Sequence, residues 1–318
     1  MMRLWPALSL IALGVQAQHG IPGIERPLFI PPEQASPWLK PQDPVLVVEH
    51  GGEARAYPLQ ILNWHPVTKD QIGGVPISVT YCPVSDSAMV FDSRIDGRVY
   101  DFGVSGMLRQ NNLVLHDRQT DSQWQQLTGE AFAGALTGRK LQNVHSQTVP
   151  FETFSRSFPR GKVLSRETGH QRDYGRNPYA RQEPLESIVA VNEEAYPFSL
   201  LRRQGVLEDR RYVVFFLDGL AGVFSPQLEG KRLGFRRKDG RIVDKQTGSA
   251  WNLLGIATEG PLAGKRLTPV GHSVSLASTW LATHPKTQMV GRLDGDGRHK
   301  ALEGIYGRKS QPYLDPLP

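Results

Sequence analysis

The chain of 318 residues contains a single cysteine, Cys82. One thiol cannot form a disulfide within the chain, and it excludes a structural zinc site built on two or more thiolates. The G-x-S-x-G elbow of many serine hydrolases is also missing, because Gly103-Val-Ser105-Gly106 lacks the second spacer residue. No phosphate-binding glycine pattern follows an apolar strand. These absences disfavour such hydrolases and nucleotide-binding enzymes.

Dense clusters of one charge are missing as well. Lys and Arg number 37 against 31 Asp and Glu, for a net charge of +6, and they are scattered singly. The longest basic run is Arg236-Arg237-Lys238. A nucleic-acid-binding face concentrates its positive charge on one surface or helix. We therefore expect no nucleic-acid partner.

Long apolar runs are confined to the N-terminus. Met1-Met2-Arg3 precedes an apolar segment over Leu4–Val15, and small residues stand at Val15 and Ala17. This order of a positive start, a short apolar core and small residues predicts a secretory signal peptide over residues 1–17. The segment is too short to span a bilayer comfortably, and no later one is long enough. We expect an exported protein, periplasmic or secreted, without a membrane span after signal removal.

Five blocks of the sequence occur twice in the same order. Examples are Glu53–Pro58, repeated at Glu193–Pro197, and Asp117–Thr120, repeated at Asp244–Thr247. The repeats predict two tandem homologous halves, residues 42–180 and a degenerate copy at 187–314, after a Pro-rich leader at 18–41. A protein partner is not indicated by any motif.

The halves read mostly as short strands. With 32 Gly and 24 Pro, turn-forming residues are abundant. Apolar runs predict strands over 75–82, 99–104 and 112–117, and helical spacing predicts short helices over 59–64 and 151–158. The sequence thus predicts a β-rich α+β fold with one or two short helices in each half.

Polar residues present in only one copy are candidates for function. Cys82 and His65 occur in the first half alone, and Cys82 ends a predicted strand before a Pro turn. A thiolate beside an imidazole suits a nucleophile with its base or a pair of metal ligands, with His116 as a third ligand. A buried, inert cysteine is the alternative. The candidate ligand-binding residues around this pair are Trp64, Tyr81, Ser85, Asp86, Arg172 and Asp173.

Several long strings in these regions resemble one known family. They are Ala54–His65, Gly73–Pro83, Phe102–Gly106, Asn112–Thr120 and Arg172–Tyr179. The chain resembles the domain of unknown function called DUF3179 over most of its length. The resemblance implies a bacterial or archaeal, often exported protein and brings no established activity. Family members often read Cys-Pro-Leu-Cys where this chain has Ser85, which disfavours a two-thiol redox or metal role.

Three functions remain open from the sequence. The first is a binding protein that holds a small ligand or a metal ion, such as copper or zinc, at a Cys/His site in the first half. The second is an enzyme with Cys82 as nucleophile and His65 as base. The third is a structural or interaction module without chemistry. Whether the protein is an enzyme is left undecided.

Overall fold

A computed structural model describes residues 21–180 and 185–290. We call these ranges the first half and the second half. The predicted signal peptide and residues 291–314 of the predicted second copy lie outside the described residues. Within the described ranges, no helix is long and apolar enough to cross a membrane.

The first half consists mainly of short strands. The strands are β1 (Phe29–Ile30), β2 (Pro44–His50), β3 (Glu53–Pro58), β4 (Val67–Ile72), β5 (Val75–Cys82), β6 (Ser87–Asp92), β7 (Arg94–Ile95), β8 (Arg98–Val99), β9 (Phe102–Arg109), β10 (Asn112–Asp117), β11 (Gln123–Gln125), β12 (Glu130–Ala133), β13 (Ser146–Pro150) and β14 (Lys162–Leu164). The helices are α1 (Pro32–Ala35), α2 (Leu59–Leu62) and α3 (Phe151–Ser157).

The second half has the same character. The strands are β15 (Ser187–Val191), β16 (Glu194–Pro197), β17 (Val206–Glu208), β18 (Val213–Leu217), β19 (Leu220–Phe224), β20 (Gln227–Leu228), β21 (Lys231–Arg232), β22 (Phe235–Lys238), β23 (Arg241–Asp244), β24 (Ala250–Trp251), β25 (Ala257–Glu259), β26 (Ser273–Leu276) and β27 (Gln288–Met289). The helices are α4 (Phe198–Gln204) and α5 (Ala277–Thr283). The predicted β-rich fold with few short helices is confirmed.

The two halves contain the same kinds of sheet. Each has a main sheet, in the order β14-β3-β2-β13 in the first half and β27-β16-β15-β26 in the second, and β1 extends the first of these. The pairing is antiparallel in both except at β14–β3 and β16–β27, which are parallel. Each half adds a three-stranded sheet, β4-β5-β6 or β17-β18-β19, and a four-stranded meander, β9 to β12 or β22 to β25.

The predicted leader takes part in the first main sheet. Its residues form β1, which pairs with β14, and α1. Ile24 also forms a parallel bridge to Thr68 of β4. The leader therefore packs as part of the first half.

One predicted strand is divided in the structure. The run over 99–104 ends β8 at Val99 and begins β9 at Phe102. Between them the backbone N–H of Tyr100 donates to Ser93 O, and Asp101 O accepts from the N–H of Arg118. Tyr100 and Asp101 pair outside the ladders of β8 and β9, so an apolar run alone did not predict the break.

Two of the apolar cores contain residues from both halves. In one, Val45 and Phe154 of the first half lie with Phe215, Phe235 and Trp251 of the second. In the other, Phe102 and Trp124 lie with Ile188, Ala190 and Trp280. Each main sheet therefore helps to bury the meander of the other half.

Candidate functional site

Cys82 lies at the end of β5 and is buried. Its side chain belongs to the apolar core that also contains Val67, Phe102 and Trp124. Burial raises the pKa of the Cys82 thiol, and hydrogen bonds from Ser85, the backbone of Val84 and the backbone of Leu113 offset only part of that rise. At neutral pH this environment favours the protonated thiol, which is a poor nucleophile.

Ser85 belongs to a buried polar network behind the turn. Its Oγ lies 2.9 Å from Ser87 Oγ, and the Asn112 side-chain amide donates to it over 3.0 Å. The same amide donates to Gln126 Oε1 over 2.8 Å. The carbonyl of Ser85 accepts a hydrogen bond of 2.8 Å from the backbone N–H of Leu276 in the second half. Ser85 thus contacts both halves: its side chain belongs to the buried network of the first half, and its carbonyl binds the second. Buried networks with filled hydrogen bonds make the local structure rigid.

His65 is buried just after α2, and its tautomer follows from its partners. Nδ1 lies 2.9 Å from the carbonyl of Pro22, which can only accept, so Nδ1 carries the proton. Nε2 then accepts from the hydroxyl of Tyr174 over 2.8 Å. Thr168 Oγ1 lies 2.6 Å from the same hydroxyl oxygen and donates to it. Burial lowers the pKa of His65 to about 4, so the ring is neutral at pH 7.

Three other predicted residues lie near His65 on the surface. The guanidinium of Arg172 stands 5.7 Å from the centre of the Trp64 ring. The Trp64 indole N–H donates to Arg176 O over 3.1 Å. Asp173 Oδ1 accepts from the N–H of Gly175 over 3.0 Å. These contacts hold the segment around Tyr174 against α2.

The structure places the segments of Cys82 and His65 side by side but gives their side chains different partners. Val67 of β4 pairs with Thr80 of β5, and the N–H of Tyr81 donates to Pro66 O. His116 lies on β10 with Nδ1 3.4 Å from Asp121 Oδ1. Among the described residues, no group of three or more His, Cys, Asp or Glu side chains is placed to hold a metal ion. The metal-ligand set predicted from Cys82, His65 and His116 is therefore not assembled.

Tyr81 and Asp86 meet at a cavity between the two halves. The Tyr81 hydroxyl donates to Asp86 Oδ1 over 2.8 Å. The cavity has a volume of about 70 Å³, and Phe198, His272 and residues 219–221 are among the second-half residues that line it. Because successive side chains of a strand point to opposite faces, Tyr81 is directed away from the core that holds Cys82. Of the predicted residues, these two line this cavity.

The cavity is lined by four polar residues that sequence reasoning missed: Ser146, Gln147, Thr148 and His272. Gln147 of β13 donates from its amide nitrogen to the carbonyls of Ala221 and Leu253. His272 Nδ1 lies 3.0 Å from Val270 O, and burial lowers the pKa of His272 to about 4. The signal was a repeated His-Ser pair, His145-Ser146 and His272-Ser273, whose two imidazole rings lie 6.2 Å apart.

The comparisons with known proteins add one finding. A family model described as "Protein of unknown function (DUF3179)" matches residues 18–287, which is most of the chain. No curated protein and no solved structure gave a significant match.

Proposed function

This chain belongs to the DUF3179 family of proteins of unknown function, and on that premise we propose that it binds a small ligand in the cavity between its halves. The observation that carries the proposal is the Tyr81–Asp86 pair, in which a hydroxyl holds a carboxylate at the wall of a cavity with both apolar and polar side chains. A concave, mostly apolar site with a few convergent polar groups is the usual form of a small-molecule site.

Access to the cavity supports a binding role. A more open groove shares Ala88, Ser146 and His272 with it and runs past His145 and Trp280. The cavity alone has room for only a few water-sized groups, since one water needs about 10–15 Å³ of such space. A ligand of moderate size therefore enters the cavity with one end and leaves the rest in the groove.

Ligand-observed NMR with a mixed panel of cationic, neutral and anionic fragments tests the proposal. We expect saturable binding by the wild-type chain and its loss in Ala88→Leu, whose larger side chain fills the space that the cavity and groove share. Ala133→Leu is the matched control, because Ala133 is half-buried on β12 and does not line the cavity. If no fragment class binds saturably, or if Ala88→Leu binds as well as the wild type, the cavity is not a ligand site.

A metal ion is not part of this proposal. A copper or zinc ion at Cys82 would need ligands from outside the described residues, because no ligand group is assembled within them. The carboxylate–hydroxyl pair at the cavity offers one acidic ligand, which is fewer than such ions take from proteins.

We further propose that the protein is exported. The pattern of residues 1–17 supports cleavage after Ala17. Expression of the full chain in a Gram-negative host, followed by fractionation and N-terminal sequencing, should give a periplasmic protein that begins at Gln18. A cytoplasmic protein that retains the apolar segment would contradict this.

We also propose that the halves arose by tandem duplication. The repeated sequence blocks and the matching sheet order support it. So does a repeated hydrogen-bond motif, in which Trp124 Nε1 donates to Asp117 as Trp251 Nε1 does to Asp244. Profiles of the two halves, built from many family sequences, should align with each other over these elements; two unrelated profiles would count against a common origin.

A further inference from the structure

We propose that the ligand of this cavity carries a primary ammonium group on a short apolar body. The inference rests on the proposed function, because it names the chemical class that the same site accepts. It follows from three features of the cavity: its unfilled hydrogen-bond acceptors, its charge and its walls.

Besides the hydroxyls of Ser146 and Thr148, which can donate and accept, three acceptors at the cavity receive no hydrogen bond from the described residues. Asp86 Oδ1 accepts from Tyr81, while Oδ2 receives no hydrogen bond. The Gln147 amide nitrogen donates to the second half, while its Oε1 receives none. His272 Nδ1 donates to Val270 O, so Nε2 presents a lone pair without a donor. A ligand that fills this set must bring several N–H or O–H donors.

The charge of the lining selects a cation. Asp86 is the one acidic residue of the lining, and within the described part of the chain no Lys or Arg lines the cavity. His272 stays neutral at pH 7 because burial keeps its pKa low. A charge-assisted hydrogen bond to a carboxylate is roughly twice as strong as a neutral one. A primary ammonium has one positive charge, which matches the single carboxylate, and three N–H donors. The donors match the three acceptors, one of which is the free oxygen of that carboxylate.

The walls select the rest of the ligand. Leu46, Leu59, Phe198 and Val274 contribute apolar surface to the same small cavity. The groove beyond it is lined by apolar Met89, Val90 and Trp280. A short alkyl or aryl chain behind the ammonium would remove this apolar surface from water.

Four probes of similar size separate the parts of this inference. They are n-butylammonium, 1-butanol, butyrate and tetramethylammonium, each titrated into the full wild-type chain at pH 7 and followed by isothermal titration calorimetry and NMR. We expect butylammonium to bind at least about tenfold more tightly than butanol, because the carboxylate is then paired with a charged donor. Butyrate should not bind, and tetramethylammonium, which has the charge but no N–H, should bind more weakly than butylammonium.

A matched pair of variants locates the binding. Asp86→Asn keeps the size of the side chain, and asparagine tolerates the positive φ of 51° at this turn. It should weaken butylammonium binding at least about tenfold. Asp239→Asn changes a carboxylate with φ 49° in the turn between β22 and β23, which lines neither the cavity nor the groove, and should leave binding unchanged.

The outcomes distinguish this inference from the proposed function. Equal binding of butanol and butylammonium, or unchanged butylammonium binding in Asp86→Asn, overturns the inference that the ligand carries an ammonium group. Either result leaves a small-ligand site in place. Failure of all four probes, together with failure of the wider fragment panel, removes both. Circular dichroism would show whether a variant has lost its fold. The comparison of the four probes uses only the wild-type chain, so it tests the ammonium inference even if a variant does not fold.

Discussion

At the scale of single residues, the contacts of His65 show how burial decides chemical behaviour. Its ring joins Pro22 of the leader to Tyr174, which lies about a hundred residues away along the chain. The bond from the Tyr174 hydroxyl requires the neutral imidazole, since Nε2 accepts it. His65 therefore connects the leader to the segment around Tyr174 by hydrogen bonds.

The stability of the fold should fall with acid because of this residue. The pKa of His65 is about 4 in the folded chain against 6.5 for the free side chain, so protonation favours the unfolded state. The stabilisation is fully present above pH 6.5 and is lost as pH falls towards 4, at a cost of roughly 3 kcal/mol. Urea unfolding across this range should show a steep loss in the wild type and a shallower one in His65→Gln. The control is His50→Gln at an exposed site. If the free energy of unfolding falls equally with pH in His65→Gln and the wild type, His65 does not stabilise the fold in this way.

Cys82 leads to a second prediction at this scale. Because burial raises the pKa of its thiol, the native protein should react with iodoacetamide at pH 7.5 much more slowly than the unfolded protein does. Mass spectrometry of labelled native and urea-unfolded protein measures the difference, with Cys82→Ser as the blank. Rapid labelling of the native chain would instead revive the sequence-based hypothesis of a Cys82 nucleophile with His65 as base, which stays a prediction.

At the scale of elements, close approach between strands of different halves places limits on side chains. Gly222 lies in β19, where a Cβ atom would stand 2.7 Å from Leu253 O and in contact with the amide nitrogen of Gln147. This glycine lets β13 of the first half pack against β19. Side-chain alternation along β5 is a second constraint at this scale, because it directs Tyr81 to the cavity and Cys82 to the core.

Gly222→Ala should therefore destabilise the protein. The added methyl group would displace Gln147 or the β19 backbone, and overpacking of this kind costs about 1–3 kcal/mol. Urea unfolding gives the free energy of unfolding, and Gly271→Ala is the control because an added Cβ there meets nothing within 4 Å. A variant that unfolds like the wild type would show that β13 and β19 are less closely packed.

At the scale of the whole molecule, the two halves share apolar cores. Phe215, Phe235 and Trp251 of the second half pack with Val45 and Phe154 of the first. Separation of the halves would expose these aromatic rings and open the cavity. We therefore expect the two halves to form one folding unit, although each contains a full set of sheets.

A fragment of residues 21–180 should consequently fail to fold by itself. Its apolar surface would lie in water without the partner that buries it. Thermal melting followed by circular dichroism should show no cooperative transition, and addition of a fragment of residues 185–290 should restore one. A fragment that melts cooperatively near the temperature of the full chain would mean that the shared cores add little.

The sequence by itself determined the local properties of this protein. Apolar runs and turn residues predicted β5 and β10 with their observed bounds, and aromatic spacing predicted α3 to within one residue, because these patterns depend on neighbours along the chain. It also identified Tyr81 and Asp86 as candidates. Only the tertiary structure separated the contacts of Cys82 from those of His65 and brought Gln147 and His272 to the cavity that Asp86 lines. Gln147 and His272 lie more than fifty positions from Asp86 along the chain, and His65 takes its partners from Pro22 and Tyr174. Such contacts depend on tertiary packing, which no local pattern encodes.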